Sequence, residues 1–228
     1  LNDSNNQVTN NINNNENIIL NNSKIRLTNA DSDLTLSAAD DLKLFTYSLS
    51  ETRFAVLGVT TSFVVNNLNR NNKISLTGDS DIFSMQDINL FAGKLVDGNL
   101  AKFDLDAEAT AFNGSIIPIS TYPKPSAVVN SETFVDLANT ANVLSDGNVY
   151  LQSNAGIADV SGIADTKDWV NEVIGDLGGA VGGQVGYTEK NLKADVKVDG
   201  YVETGIHRNQ SITIGGTNVV NDQATARW

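Results

Sequence analysis

Through most of the chain a polar residue stands between two apolar ones, and Gly, Asn, Asp or Ser follows within a few positions. Instances are Ile25-Arg26-Leu27, Leu34-Thr35-Leu36, Leu42-Lys43-Leu44, Ile74-Ser75-Leu76, Ile88-Asn89-Leu90, Val149-Tyr150-Leu151 and Ile212-Thr213-Ile214. Apolar positions at period two, with turn formers about every eight to fifteen residues, predict many short strands. The return of one small unit, instead of strands of varied character, favours a coiled solenoid. The expected fold is therefore all-β, a right-handed parallel β-helix (β-solenoid). Inward residues stack as aliphatic ladders, and Gly and Asn take left-handed conformations at the corners. An antiparallel β-sandwich is the alternative.

Two stretches alternate for longer. Phe103-Asp104-Leu105-Asp106-Ala107-Glu108-Ala109-Thr110-Ala111 has one face of Phe, Leu and Ala and another of Asp, Glu and Thr, and Ala194–Asp199 repeats the arrangement beside Lys193 and Lys197. Each reads as a strand with one wet face. All three Pro lie between Pro118 and Pro125, which predicts an extended Pro-containing loop over 116–126. Period two breaks at 165–179, where Trp169, Val170, Val173, Ile174 and Leu177 share a helical stripe before Gly178-Gly179. A short amphipathic helix, near 166–177 within that insert, is expected to pack on the solenoid flank. Residues 1–22 hold 11 Asn and read as an Asn-rich polar lead or edge segment. Asn runs of this kind stack in ladders when a backbone repeats at strand spacing. Residues 23–228 form the solenoid domain.

Composition explains the corners and narrows the function. The 228 residues include 30 Asn and 18 Gly but 3 Pro, 1 His and no Cys, with a net charge of −12. Clustered Lys/Arg for phosphate contacts are missing, so no nucleic-acid partner is expected. No stretch approaches the roughly 18 apolar residues of a membrane span. Without thiols, Cys–His nucleophiles, Cys-rich zinc sites and disulfide scaffolds are excluded. The chain opens on Leu1-Asn2-Asp3 with no targeting signal in that segment, and is expected to be a piece or processed product of something longer.

The remaining chemistry is acidic. Asp104, Asp106 and Glu108 share one strand face at a spacing of about 7 Å, a separation found between acids of glycosidases and of calcium sites. A solvated face is the simpler reading. Asp79 with Asp81, and Asp31 with Asp33, form Asp-x-Asp turns beside strands, and Asp40-Asp41 is a third acidic turn. Asp79, Asp81, Asp31 and Asp33 are the calcium candidates, calcium being the one cofactor considered, although none forms an EF-hand loop. His207 reads as an exposed turn residue. The Gly-rich 178–186 lacks the Lys-Ser/Thr ending of a phosphate loop and reads as a helix C-cap and connection.

The stretch Ile88–Leu100, the alternating strand at 103–111 and Ile116-Ile117-Pro118-Ile119 resemble large secreted filamentous adhesins of Gram-negative bacteria, the leukotoxin-like group with a filamentous-haemagglutinin-type β-helix. Asn148–Leu151, the insert around Trp169, and Val198–Ile206 followed by Ser211–Ile214 extend that likeness over roughly residues 74–216. The resemblance implies a β-helix stalk exported to the cell surface or medium, with adhesion or matrix building as its role and no catalysis. Expected partners are other copies or flanking repeats, including end-to-end self-assembly in which an end strand or the Asn-rich tract pairs with the next copy, and a host or neighbouring-cell surface. A β-helix polysaccharide lyase or glycoside hydrolase built on Asp104, Asp106 and Glu108 is the alternative.

Overall fold

The computed structural model describes residues 2–168, 186–205, 210–216 and 218–227. Among these residues sixteen strands wind through four coils. The first coil is β1 (Asn2–Asn21), β2 (Lys24–Leu27), β3 (Leu34–Ala38) and β4 (Leu42–Arg53); the second is β5 (Leu57–Thr77), β6 (Asp81–Ser84), β7 (Ile88–Ala92) and β8 (Lys102–Gly114). The third is β9 (Ile117–Leu137), β10 (Asn142–Ser145), β11 (Val149–Ser153) and β12 (Gly156–Asp168); the fourth is β13 (Tyr187–Val198), β14 (Tyr201–Thr204), β15 (Ile212–Gly215) and β16 (Asn218–Arg227). Corresponding strands stack into four sheets, here A to D, each of four strands in coil order. Every pairing between these strands is parallel. This is a parallel β-solenoid, and among the described residues no helix occurs.

The coil is longer than the short repeated phrases suggest. Register partners in adjacent coils lie from 54 residues apart (Leu34 and Ile88) to 63 (Val149 and Ile212), because sheet A is built from strands of up to 21 residues. The phrases are positions that recur once per coil. Leu34, Ile88, Val149 and Ile212 form one inward column, and Leu36, Leu90, Leu151 and Ile214 the next.

The interior has two parts. Where the C-terminal half of sheet A meets sheets B and C, aliphatic columns fill a core that includes Ile74, Leu76, Ile82, Leu90, Val135 and Val143, all fully buried. Where the rest of sheet A faces sheet D, Val64, Leu68, Phe103, Leu105 and several Ala form a second cluster. Toward the outer end of that layer the inward residues become Ser, Thr and Asn. Thr60 donates to Thr52 at 2.8 Å, Ser62 to the Ser48 carbonyl at 3.0 Å, and Asn113 Nδ2 to the Gly58 carbonyl at 3.0 Å. Small polar side chains fit between two close sheets and satisfy one another there.

Corners follow the residue chemistry. Asn22 (φ 50°) and Gly78 (φ 59°) occupy the same place after β1 and β5 in the left-handed region, which Gly and Asn adopt at least cost.

Two local expectations change. The stretch 116–126, expected as a Pro-containing loop, runs from Ile117 onward as strand β9. Pairing of β9 with β13 starts only at Ser126, so the Pro-containing half of β9 has one side without a strand partner among the described residues. A strand tolerates the lost N–H groups of Pro on such a side. At 165–179, Asp165–Asp168 continue β12 instead of opening a helix. Residues 169–185, which carry the rest of that helical expectation and the Gly-rich 178–186 up to Val185, lie outside the described residues, as does His207. The Asn-rich lead is the edge strand of sheet A, paired in register with β5 from Asn2 to Asn21.

Truncating a central column residue should be costly while an outward one is not. Leu90→Ala is expected to lower unfolding free energy by about 2–5 kcal/mol, whereas Leu49→Ala, on the outer face of β4, should change it by less than about 1 kcal/mol. Urea titration followed by circular dichroism measures both.

Candidate functional site

Because coils repeat in register, a residue type recurring at one position becomes a row. On the outer face of sheet A the register aligns Asn13, Asn69, Asn130 and Asn191. Each amide donates to the carbonyl oxygen of the Asn one coil earlier: Asn69 to Asn13 at 3.1 Å, Asn130 to Asn69 at 2.9 Å, and Asn191 to Asn130 at 2.8 Å. Asn67 donates in the same sense to Asn11 at 2.8 Å. The row crosses every coil, and Asn69, Asn130 and Asn191 line a shallow trough with Asn15, Asn71, Glu132 and Lys193. Asn69 and Asn130 each retain a second amide N–H and a second lone pair for a ligand, while Asn191 gives its second N–H to Glu189 at 3.0 Å.

The acidic candidates are placed by the same stacking. Asp104, Asp106 and Glu108 lie on the outer face of β8, opposite the inward Phe103, Leu105 and Ala107. Lys43 Nζ donates to Asp104 Oδ2 at 2.7 Å, and Asp104 chiefly, through that bond, holds the Lys43 ammonium above its ordinary range. Asp106 accepts from the Ser161 hydroxyl. On the neighbouring strand β4, Phe45 and Tyr47 stand in register with Asp106 and Glu108. Phe45 is 58% exposed, since Thr46 and Ser48 take the inward places.

Several acidic turns serve as corner fasteners. Asp33 Oδ1 accepts the Asp87 N–H at 3.1 Å, Asp87 Oδ1 the Asn148 N–H at 2.7 Å, and Asn148 Oδ1 the Ser211 N–H at 3.0 Å. Three side-chain oxygens thus cap the backbone ahead of sheet C in coils 2, 3 and 4, each reaching from the coil before. Asp41 accepts the Lys102 N–H at 2.7 Å. Asp40 receives the Asn14 amide at 2.6 Å and, at 3.3 Å, the guanidinium of Arg70, whose side chain is buried and sits 4.9 Å over the Phe103 ring. Burial pushes the Arg70 guanidinium below its usual range, and Asp40 opposes that shift.

The calcium candidates divide between two corners. Asp79 and Asp81 stand where sheet A turns into sheet B, and Asp31 and Asp33 where sheet B turns into sheet C. Asp79 N–H donates to the Asn22 side chain at 3.1 Å and Asp31 N–H to Asn29 at 3.1 Å. Asp81 accepts from Asn142 at 2.7 Å and pairs with Lys24 at 3.4 Å. Among the described residues no group of three or more acids, His or Cys converges as a metal site.

One feature has no counterpart in the sequence reading. At the corner between sheets D and A, Phe54 is fully exposed with φ 57°, and Val56 and Ile116 are also exposed. With Phe112 and Arg53 they line an apolar recess of about 610 Å³. The signal available was Arg53-Phe54-Ala55-Val56, an apolar run at a corner where turn residues are otherwise the rule.

Two outcomes follow. Asn142 first, and then Lys24, hold the Asp81 carboxyl below the usual aspartate range against partial desolvation. Its stabilising contribution is present above the ordinary value of 3.8 and is lost as pH falls through the lower folded value. The denaturation midpoint of the native chain should therefore decline between about pH 5 and pH 2, and Asp81→Asn should flatten that decline. Separately, Asp40→Ala strands the buried Arg70 charge and should cost about 3 kcal/mol. Adding Arg70→Met should recover most of it, as read by urea denaturation of the single and double variants.

Comparison of the chain with protein-family models, with curated proteins and with solved structures finds no match to any of them.

Proposed function

We propose that the chain is a structural and adhesive module of a bacterial surface or secreted filament protein: a length of stalk that holds a surface through many weak contacts. The observation that carries this reading is the unbroken amide row from Asn13 to Asn191 on the exposed face of sheet A. A rigid row repeating at about 4.8 Å offers donors and acceptors at constant spacing. It suits an extended, hydroxyl-rich surface such as a host or neighbouring cell's polysaccharide better than a single small molecule. The resemblance of the sequence to Gram-negative filamentous adhesins points the same way and supports reading the module as extracellular.

The pairing of Asp104 with Lys43 and of Asp106 with Ser161 favours a solvated, partnered acidic face over an acid/base pair for hydrolysis or lyase chemistry. The enzyme reading is addressed by incubating the chain with acidic and neutral polysaccharides, where no cleavage is expected.

Antibodies raised against the chain should label intact source cells or their culture medium; labelling only after lysis overturns the extracellular assignment. Purified chain should bind polysaccharide-bearing cells. The Asn69→Ala/Asn130→Ala variant should bind several-fold more weakly with little change in stability, since Asn69 is exposed and Asn130 half-buried on the outer face. Equal binding by that variant would remove the amide row from the adhesive surface.

A further inference from the structure

Both ends of the solenoid are open sheet edges in the described residues. In the described residues, sheets A, B and C end at β13, β14 and β15 on one side and at β1, β2 and β3 on the other, each presenting an edge of backbone N–H and C=O groups. On the coil 4 end, Ile212 and Ile214 are 43% and 51% exposed although their columns are buried in coils 2 and 3. Val196, Val198 and Val202 are partly buried beside them. On the coil 1 end, Ile18, Leu20, Ile25, Leu34 and Leu36 are likewise only partly buried against the same core.

We propose that coil 1 of a second copy of this chain docks on coil 4, parallel and in the register that already joins successive coils. The proposal rests on the reading of the chain as a filament or stalk module and names its partner. In that register Val196 and Val198 meet Ile18 and Leu20, Val202 meets Ile25, and Ile212 and Ile214 meet Leu34 and Leu36. These five aliphatic columns of the three-sheet core continue without a change of type, whereas in the two-sheet region Lys190 comes into register with Ile12 and Asp222 with Leu44.

Three further features agree with one direction of docking. The amide row is polar, with Nδ2 of each coil donating to Oδ1 of the coil before it. Asn191 therefore offers a carbonyl at one end and Asn13 an N–H at the other, so head-to-tail contact extends the row, whereas head-to-head contact opposes like groups. In sheet B, Glu203 falls beside Arg26 of the incoming copy. Charge bears on the Asn-rich edge: of the charged residues coil 4 presents on the outer face of its end, Glu189, Lys193, Asp195 and Asp199 meet Asn11, Asn15, Asn17 and Asn21, and Lys197 meets Ile19. A chain of net charge −12 needs an edge free of like charge to stack on itself, and between Asn2 and Asn21 only Asp3 and Glu16 are charged. Glu16 is a further poor fit, since it would turn inward over Ala194, within the field of Arg70.

The test uses the 228-residue chain and variants blocked at one end: Leu36→Lys at coil 1 and Ile214→Lys at coil 4. Sedimentation velocity of the native chain should show concentration-dependent growth, and each variant alone should be monomeric with native circular dichroism. Mixing the two variants should give a species of twice the monomer mass, because the intact coil 4 of one accepts the intact coil 1 of the other. Glu16→Gln should shift native assembly to lower concentration. A native chain that stays monomeric to its solubility limit overturns the proposal, as does a mixture that does not pair or a variant that dimerises alone. None of these results alters where antibodies label the cell, so failure here is distinct from failure of the surface-module reading.

Discussion

The structure depends on parallel pairing in register between segments more than fifty residues apart. A slip of one residue would turn every inward side chain outward, so pairing can hold only where like lies over like in successive coils. Once it holds, single residues become rows: aliphatic columns inside, asparagine amides outside, and carboxylate and amide oxygens capping backbone N–H groups at the corners. The variation in coil length, from 54 to 63 residues, is absorbed at the corners and the bulge between Gly58 and Val59, which leaves the sheets undisturbed.

The cross-section decides which side chains the interior accepts. Three sheets enclose enough space for Ile, Leu and Val, and the core is aliphatic there. Two facing sheets leave less, and the inward row of β4 passes from Leu42 and Leu44 to Thr46, Ser48, Ser50 and Thr52. The same step sends Phe45, Tyr47 and Leu49 outward. Arg70 sits between the two regions, and its charge is tolerated because Asp40 and the Phe103 ring meet it.

Much of this was legible in the chain. The short apolar phrases are strand positions, and the class of fold follows from their recurrence and from Gly and Asn at corners such as Gly78 and Asn22. Period two also assigned the wet face of Asp104, Asp106 and Glu108. Hydrophobicity could not show the inward Ser and Thr of the two-sheet region, because their partners are each other and lie on strands distant in sequence. The length of sheet A was hidden for a related reason: Asn-rich β1 lacks the apolar content of a strand and the Pro residues of β9 lack N–H donors, and both are extended by pairing with their neighbours. The ladder from Asn13 to Asn191 needs a register, which a single sequence without an evident strict repeat does not supply. Asp33 and Asp40 were visible as acidic turns, but their task, holding N–H groups and a guanidinium from other parts of the coil, was not.

The length of the coil also governs how the molecule forms. The first rung cannot close until a loop of some fifty residues has been drawn together, and that entropy is spent before any stacking repays it. Coils added afterwards meet a ready template and need only lie down upon it. A chain of this kind is slow to begin folding and, once two coils have met, is expected to grow from that seam outward and to come apart by fraying at its ends.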